Sequence, residues 1–421
     1  MTSRRTSLVP EAITSIGDAH GIDAQAIAAA HRASRGIARW TPSVAAVNRS
    51  AEMDPGVLLK AENLQLTGSY KLRGALNKVR SLGVGCRGVV AASAGNHAQG
   101  LAYAARAVGV RCGIYLPTGA PRSKVEAIRE LGADIHQEAA TVDECFALAA
   151  AAAERHGWAL VHPFDDPDVI VGQGGVGVEL LADVPELSQV VLPVGGGGLA
   201  AGVAVAIKSV KPEVRVIGVQ APASAPFVEP SYPPCSPGAS SVAPIADGVA
   251  VKRPGLIGGA VIEKLLDDLV IVQESEVADA MIWVMEHARM VAEGAGAVAV
   301  AALIHGHVAP AAQGDTVAVI SGGNVDVSLL AAVVRRHESR ERRRIRLVAR
   351  VADSPGSLAA LLNGVAGAGG NLIELNHVRD GLPMAVREAV VELTVETAGA
   401  AASDALLASL RNAGFVVSES S

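Results

Sequence analysis

Between residues 88 and 163, short apolar runs alternate with helical stretches at a near-constant interval, and no other feature of the chain restricts its fold so strongly. Residues 88–93, 111–116, 133–137 and 158–162 read as strands whose starts lie about two dozen residues apart. Helical segments fill the intervals; Val125, Ile128 and Leu131 share one face of a helix that Gly132 ends. Strand, helix and strand repeated at this spacing make right-handed βαβ units, whose strands lie in a parallel sheet. A second series follows: a helix near 176–181, a strand at 190–194, a helix from Leu199, a strand at 214–219, a long helical region over 276–305 and a strand at 316–321. The pattern predicts an α/β region of two lobes over residues 1–330, a small lobe at about 58–163 and a large lobe formed by the remainder.

After residue 330 the composition shifts. Arg335, Arg336, Arg340, Arg342, Arg343 and Arg344 crowd together with Glu338 and Glu341. A short mixed-sign run of this kind solvates a linker or a helix end more readily than it binds nucleic acid, and 331–344 is expected as a linker. Residues 345–351 then read as a strand, Ser354 as an N-cap with Pro355 in the first helical position, and the helix runs to Gly369 and Gly370. Strands at 372–378 and 389–396, a helix at 403–412 and a strand at 415–418 complete the order βαββαβ. That order is a ferredoxin-like α+β domain over 345–421.

The net charge of −6 argues against general nucleic-acid binding, and an apolar fraction of 50% excludes a disordered chain. Cys86, Cys112, Cys145 and Cys235 stand far apart, without metal-ligand or redox spacing, and read as small buried hydrophobes of a reducing compartment. Arg4 and Arg5 are not followed by the apolar stretch of a secretory signal. Residues 190–207 are uncharged and long enough to span a bilayer, but Pro193 and the glycines at 195–198 fit a strand, a turn and a helix better. A cytoplasmic protein with no membrane segment and no metal site is expected.

Four segments hold residues that could do chemistry. The first is Thr67-Gly68-Ser69-Tyr70-Lys71-Leu72-Arg73. A lone lysine is ordinarily a surface residue, but the neighbouring charge of Arg73 would favour a neutral, nucleophilic amine on Lys71. The second, Ser93-Ala94-Gly95-Asn96-His97, follows a strand and opens a helix. There, small residues let a ligand approach and free N–H groups bind a carboxylate or phosphate; His97 reads as a histidine satisfied inside the turn rather than a base. The third, Gly195-Gly196-Gly197-Gly198-Leu199, also joins a strand to a helix and makes a nest of N–H groups. Its glycines also fit a dinucleotide fingerprint, but the next strand ends at Gln220 instead of an acid, and no Walker lysine follows, so a monophosphate suits it best. The fourth is Ser321-Gly322-Gly323-Asn324. All four fall at the C-terminal ends of strands, where open α/β sheets place ligands.

Together these residues resemble the fold-type II pyridoxal-phosphate enzymes, of tryptophan-synthase-β-like fold, and within them the threonine/serine dehydratase branch. The likeness spans about residues 38–330 and extends to Lys60-Ala61-Glu62-Asn63-Leu64-Gln65, residues 246–255 and Glu293-Gly294-Ala295-Gly296-Ala297. Residues 353–358 resemble the first turn of an ACT domain, so the whole chain resembles the threonine ammonia-lyases with one ACT domain. The resemblance implies pyridoxal 5'-phosphate held by Lys71 as a Schiff base, with Lys71 then acting as base at the substrate Cα. Gly195, Gly196, Gly197, Gly198 and Leu199 would cradle the phosphate, Asn96 would bond the ring hydroxyl, Tyr70 would lie near the ring and Ser321 would meet the pyridine nitrogen. Ser93, Ala94, Gly95, Asn96 and His97 would hold the substrate carboxylate. The implied activity is α,β-elimination from L-threonine to give 2-oxobutanoate and ammonia, with L-serine to pyruvate beside it, in isoleucine synthesis or threonine breakdown. An amino-acid effector would bind the ACT domain at a subunit interface near Ser354, Pro355, Gly356, Ser357, Leu358 and Asn371, in a homodimer or homotetramer.

Departures from the pattern sharpen the choice. Serine racemases carry a serine where Ala94 stands, so no acid faces the far side of the substrate here. The divalent-metal site of some relatives uses a glutamate where Gln220 stands. A dehydratase of another β-hydroxy amino acid such as serine or 3-hydroxyaspartate, a serine or threonine racemase, and a non-catalytic amino-acid sensor rank behind the threonine enzyme.

Overall fold

A strand that is apolar on both faces has to be covered on both sides, and the central strands of this chain are of that kind. In chain order the strands are β1 (Ser43–Ala45), β2 (Val57–Ala61), β3 (Gly88–Ala92), β4 (Arg111–Pro117), β5 (Asp134–Ala139), β6 (Ala159–Leu160) and β7 (Leu187–Pro193). They continue with β8 (Arg215–Gln220), β9 (Asp268–Ile271), β10 (Asp315–Ile320), β11 (Arg344–Ala352), β12 (Asn371–Val378), β13 (Glu388–Glu396) and β14 (Val416–Ser420). All of β3, and the C-terminal five residues of β7 and of β10, are buried. The computed structural model describes residues 20–46, 56–222, 244–251, 253–379 and 387–420. Arg4, Arg5, Cys235 and Lys252 lie outside the described residues. The chain divides into two units, Met1–Val325 and Asp326–Ser421.

The first unit holds two sheets. The smaller has the order β5-β4-β3-β6, all parallel. The larger has the order β1-β2-β10-β7-β8-β9 and is parallel except for β1, which runs antiparallel on β2. This edge strand was not foreseen, since its three residues carry no apolar run. β2 pairs with β10, Leu58 against Val317, so residues 57–61 belong to the larger sheet, although the small lobe was expected to begin at about 58. An apolar pattern identifies a strand without identifying its partner. Helix Gly198–Lys208 is buried along its whole length and helix Gly294–Ile304 nearly so; helices without a polar face belong in the core. The helical region expected over 276–305 is two helices, Glu274–Ala288 and Gly294–Ile304. Arg289 ends the first in a left-handed conformation, φ 56°, a break that helical periodicity carries straight across. Among the described residues, no helix is long and apolar enough to cross a membrane.

The second unit contains a four-stranded antiparallel sheet, order β12-β13-β11-β14. Helices Ser357–Gly367 and Ala400–Asn412 supply Leu361, Val365, Leu406 and Leu410 to a core shared with Leu347, Ala349, Leu393 and Val395. This is the ferredoxin-like arrangement expected from the order of elements. Two details differ from expectation. Residues 327–340, most of them in the expected linker, form helix Val327–Arg340. Gly356, not Ser354, is the N-cap of the first helix, with φ 91°; Ser354 instead sets the preceding turn, its Oγ 2.9 Å from Ser357 Oγ. A left-handed cap requires glycine, and that requirement outweighs the Ser-Pro signal.

Candidate active site

Helix Lys71–Ser81 begins at the candidate lysine, and the segment before it is fastened to the end of β10. The Tyr70 N–H donates to the Ser321 carbonyl at 3.1 Å, and the Gly323 N–H donates to the Gly68 carbonyl at 2.9 Å. Lys71 lines a cleft with Tyr70, Asn96, Phe164, the glycines 195–198, Glu293 and Ser321. Its amine donates to the Pro163 carbonyl at 2.8 Å and lies 5.2 Å from the centre of the Tyr70 ring.

Arg73 is not turned toward Lys71 but engaged elsewhere. Two residues on is about 200° around a helix, and the Arg73 guanidinium points into the core. It donates to both oxygens of Glu62, from Nε at 2.8 Å and Nη2 at 2.7 Å. It donates likewise to both oxygens of Glu179, from Nη1 at 2.6 Å and Nη2 at 2.9 Å. Lys60 adds a second cation, its Nζ 2.7 Å from Glu179 Oε2. Burial opposes ionisation of Glu62, but the charge and hydrogen bonds of Arg73 outweigh it and hold the carboxyl below its usual range. Burial also opposes the charge on Arg73, and Glu62 and Glu179 together overcome it, raising its pKa. The Arg73 charge is therefore spent inside the core, where it fixes the first turn of the helix that carries Lys71.

The tetraglycine turn leads from β7 into helix Gly198–Lys208, with Gly197 at φ 97°. A side chain on Gly196 would overlap the Phe164 ring, and one on Gly195 would come within 3.0 Å of Val249 Cα. The Gly255 N–H donates to the Gly196 carbonyl at 3.1 Å. Asp165 holds the same wall by accepting from the Leu256 and Ile257 N–H groups at 3.0 and 2.9 Å. Among the described residues, nothing accepts from the N–H groups of Gly195 to Leu199. A nest of unengaged donors at a helix start suits a phosphate.

Asn96 opens helix Asn96–Val108 with both ends of its amide engaged. Its Nδ2 donates to Glu293 Oε1 at 2.6 Å, and its Oδ1 accepts from Asn324 Nδ2 at 2.7 Å. Burial, and next the charge of Asp247, push the Glu293 carboxyl up to about 7; the Asn96 bond, Lys124 and Lys71 act the other way. His97 is buried, its Nε2 3.0 Å from the Val161 carbonyl. Burial and the Lys71 charge push its pKa down to about 3, which leaves it neutral and structural. Ser93, Ala94, Gly95 and His97 flank Asn96 without lining the cleft. What this turn offers a ligand is backbone: the N–H groups of Asn96, His97 and Ala98 have no acceptor among the described residues.

Ser321 follows β10 inside the cleft, 3% exposed, and among the described residues its hydroxyl makes only a long contact, 3.4 Å, to the Ala295 carbonyl. Close by, the hydroxyls of Ser69 and Thr67 are buried without partners among the described residues. An amine, a nest for a phosphate and a loosely bonded hydroxyl in one cleft fit pyridoxal phosphate. Lys71 would hold its aldehyde carbon, Gly195 to Leu199 its phosphate and Ser321 its ring nitrogen. Among the described residues, no group of three or more His, Cys, Asp or Glu is placed to hold a metal ion. Sequence reasoning assigned no role to Phe164, Pro163, Glu293 or Asn324. The available signal was position: residues 163–164 follow the strand β6, and Asn324 follows β10, at the strand ends where the other motifs lie.

A family model described as pyridoxal-phosphate dependent enzyme matches residues 35–323. The L-threonine ammonia-lyase of Thermotoga maritima is 43% identical over 344 residues, 81% of this chain and 85% of that protein. That of Geobacter sulfurreducens is 40% identical over 369 residues, 86% of this chain and 90% of that protein. The solved structure of the processed form of threonine deaminase isoform 2 from Solanum lycopersicum matches with a TM-score of 0.66 at 35% identity, covering 74% of this chain and 87% of that one.

Proposed function

Since the chain belongs to the pyridoxal-phosphate-dependent enzymes, we propose that it is an L-threonine ammonia-lyase, yielding 2-oxobutanoate and ammonia by α,β-elimination, with a C-terminal ACT domain that places this activity under amino-acid control. The observation that carries the reading is the meeting of the Lys71 amine and the unengaged N–H groups of Gly195 to Leu199 in one cleft. The threonine ammonia-lyases at 43% and 40% identity support the choice of substrate.

Bound pyridoxal phosphate supplies an electron sink that makes the substrate Cα–H acidic and allows the β-hydroxyl to leave. The chain supplies the rest. Lys71 Nζ, oriented by the Pro163 carbonyl, takes the Cα proton. The N–H groups of Gly195 to Leu199 hold the phosphate, aided by the positive end of helix Gly198–Lys208. The N–H groups of Asn96, His97 and Ala98, at the start of a second helix, hold the substrate carboxylate. Ser321 offers the ring nitrogen a neutral hydroxyl, which cannot keep that nitrogen protonated as a carboxylate would; this favours prompt elimination over a long-lived carbanion. Ala94 has no proton to deliver, which disfavours racemisation.

The regulatory part of the proposal draws on the ferredoxin-like sheet and on the turn at 354–358, where Gly356 adopts φ 91°. An effector amino acid would sit near Ser354–Leu358 and Asn371 between subunits of a homodimer or homotetramer in the cytoplasm. Turnover of L-threonine together with a visible cofactor absorption band tests the catalytic reading: Lys71→Ala abolishes both, and a protein that stays colourless with added pyridoxal phosphate refutes it. The same assay with isoleucine or valine tests regulation, and no response to any amino acid refutes that part.

A further inference from the structure

The Glu293 carboxyl has no part in the chemistry above, yet it stands in the cleft wall, 7% exposed. A buried carboxyl needs a partner, and its partner is Asn96 Nδ2 at 2.6 Å. The other end of that amide accepts from Asn324, which also donates to the Thr67 carbonyl at 2.8 Å. Asn96 follows β3 of the smaller sheet, whereas Glu293 immediately precedes helix Gly294–Ile304 and Asn324 follows β10 of the larger one. The polar chain therefore crosses between the lobes at the cleft. Two glycines make room for it: a side chain on Gly322 would overlap Glu293 Oε1, and one on Gly68 would overlap Asn324 Oδ1.

An amide engaged at one end can turn over; an amide with a donor against its oxygen and an acceptor against its nitrogen cannot. Nδ2 carries two hydrogens, and the one that Glu293 does not take is left for a ligand in the cleft. We propose that Glu293 is a positioning residue: with Asn324 it grips both ends of the Asn96 amide and so sets, from the larger lobe, how Asn96 meets the cofactor. The proposal rests on the reading of the chain as a pyridoxal-phosphate enzyme.

The test is titration of the apoprotein with pyridoxal phosphate, followed by visible absorption, for the parent, Glu293→Ala and Glu293→Gln, with kcat and KM for threonine measured alongside. Glu293→Ala binds the cofactor about tenfold to a hundredfold more weakly, as the loss of a hydrogen bond to a charged group implies, and its kcat falls by more than its KM rises. Glu293→Gln restores the affinity to within about threefold of the parent, because its amide oxygen accepts the same bond. A merely structural carboxyl would shift the melting temperature of the apoprotein and leave cofactor affinity at the parent value, which overturns the proposal. Glu293→Gln binding as weakly as Glu293→Ala also overturns it. A parent protein that takes up no cofactor overturns the functional reading and this proposal with it, whereas normal parent uptake with no effect of Glu293→Ala overturns the proposal alone.

Discussion

Replacing Arg73 by methionine keeps the length of the side chain and removes its charge from a site where two cations and two carboxylates balance. Lys60, Glu62, Arg73 and Glu179 are each at most 2% exposed. The substitution removes the paired bonds to Glu62 and to Glu179, leaving the two buried carboxylates to Lys60 and to the hydrogen bonds of Thr41. Breaking a buried pair by removing one partner costs about 3–5 kcal/mol, which in a unit of this size lowers the melting temperature by on the order of 10 °C. The pH dependence is the sharper readout. In the parent, the Glu62 carboxyl is held below its ordinary value, so its contribution is present above the unfolded pKa and is lost as the pH falls through the folded one. In Arg73→Met, burial without the guanidinium raises the Glu62 carboxyl, and a raised carboxyl costs stability above its unfolded pKa. The shifted Glu293 and His97 act alike in both proteins, so relative to the parent the variant recovers part of its loss as the pH falls from about 8 to about 5. Calorimetry of apoprotein across that range measures both effects. A melting temperature equal to the parent's, or a variant curve parallel to the parent's over the whole range, would refute the reasoning.

Further expectations follow from the cleft. Gly196→Ala drives a methyl group into the Phe164 ring, which overpacking places at about 1–3 kcal/mol. Cofactor affinity measured by absorption titration then falls at least tenfold; uptake at the parent affinity would mean that the turn does not hold the phosphate. His97 is neutral down to about pH 3, so the kcat/KM profile of His97→Gln keeps its shape between about pH 5 and pH 9. Disappearance of one limb of that profile would show that His97 moves protons.

Sequence alone revealed local pattern well and spatial partnership poorly. β3, β4, β7, β8 and β10 were legible because buried parallel strands are continuous apolar runs, and the ferredoxin-like unit was legible because its elements are short and well punctuated. The sheet to which β2 belongs was not, since strand pairing leaves no mark on the strand itself. Arg289 and Gly356 changed helix boundaries through left-handed backbone conformations, which periodicity does not register. At the candidate site, residue type and position at strand ends picked out Lys71, Ser321 and the tetraglycine turn, and these line one cleft. Arg73 was misread because a charge two residues away in sequence lies across the helix once the helix starts at Lys71. Glu293 and Asn324 gained meaning only when folding brought residues 197 and 228 positions from Asn96 into hydrogen bond with it.

One covalent attachment, at Lys71, underlies all of the chemistry proposed for the cleft. Borohydride reduction of the cofactor-loaded protein, followed by proteolysis and mass spectrometry, locates it directly. The reduced pyridoxyl group is expected on the peptide that contains Lys71; finding it on another lysine, or on none, would contradict the assignment of the cleft and the chemistry drawn from it.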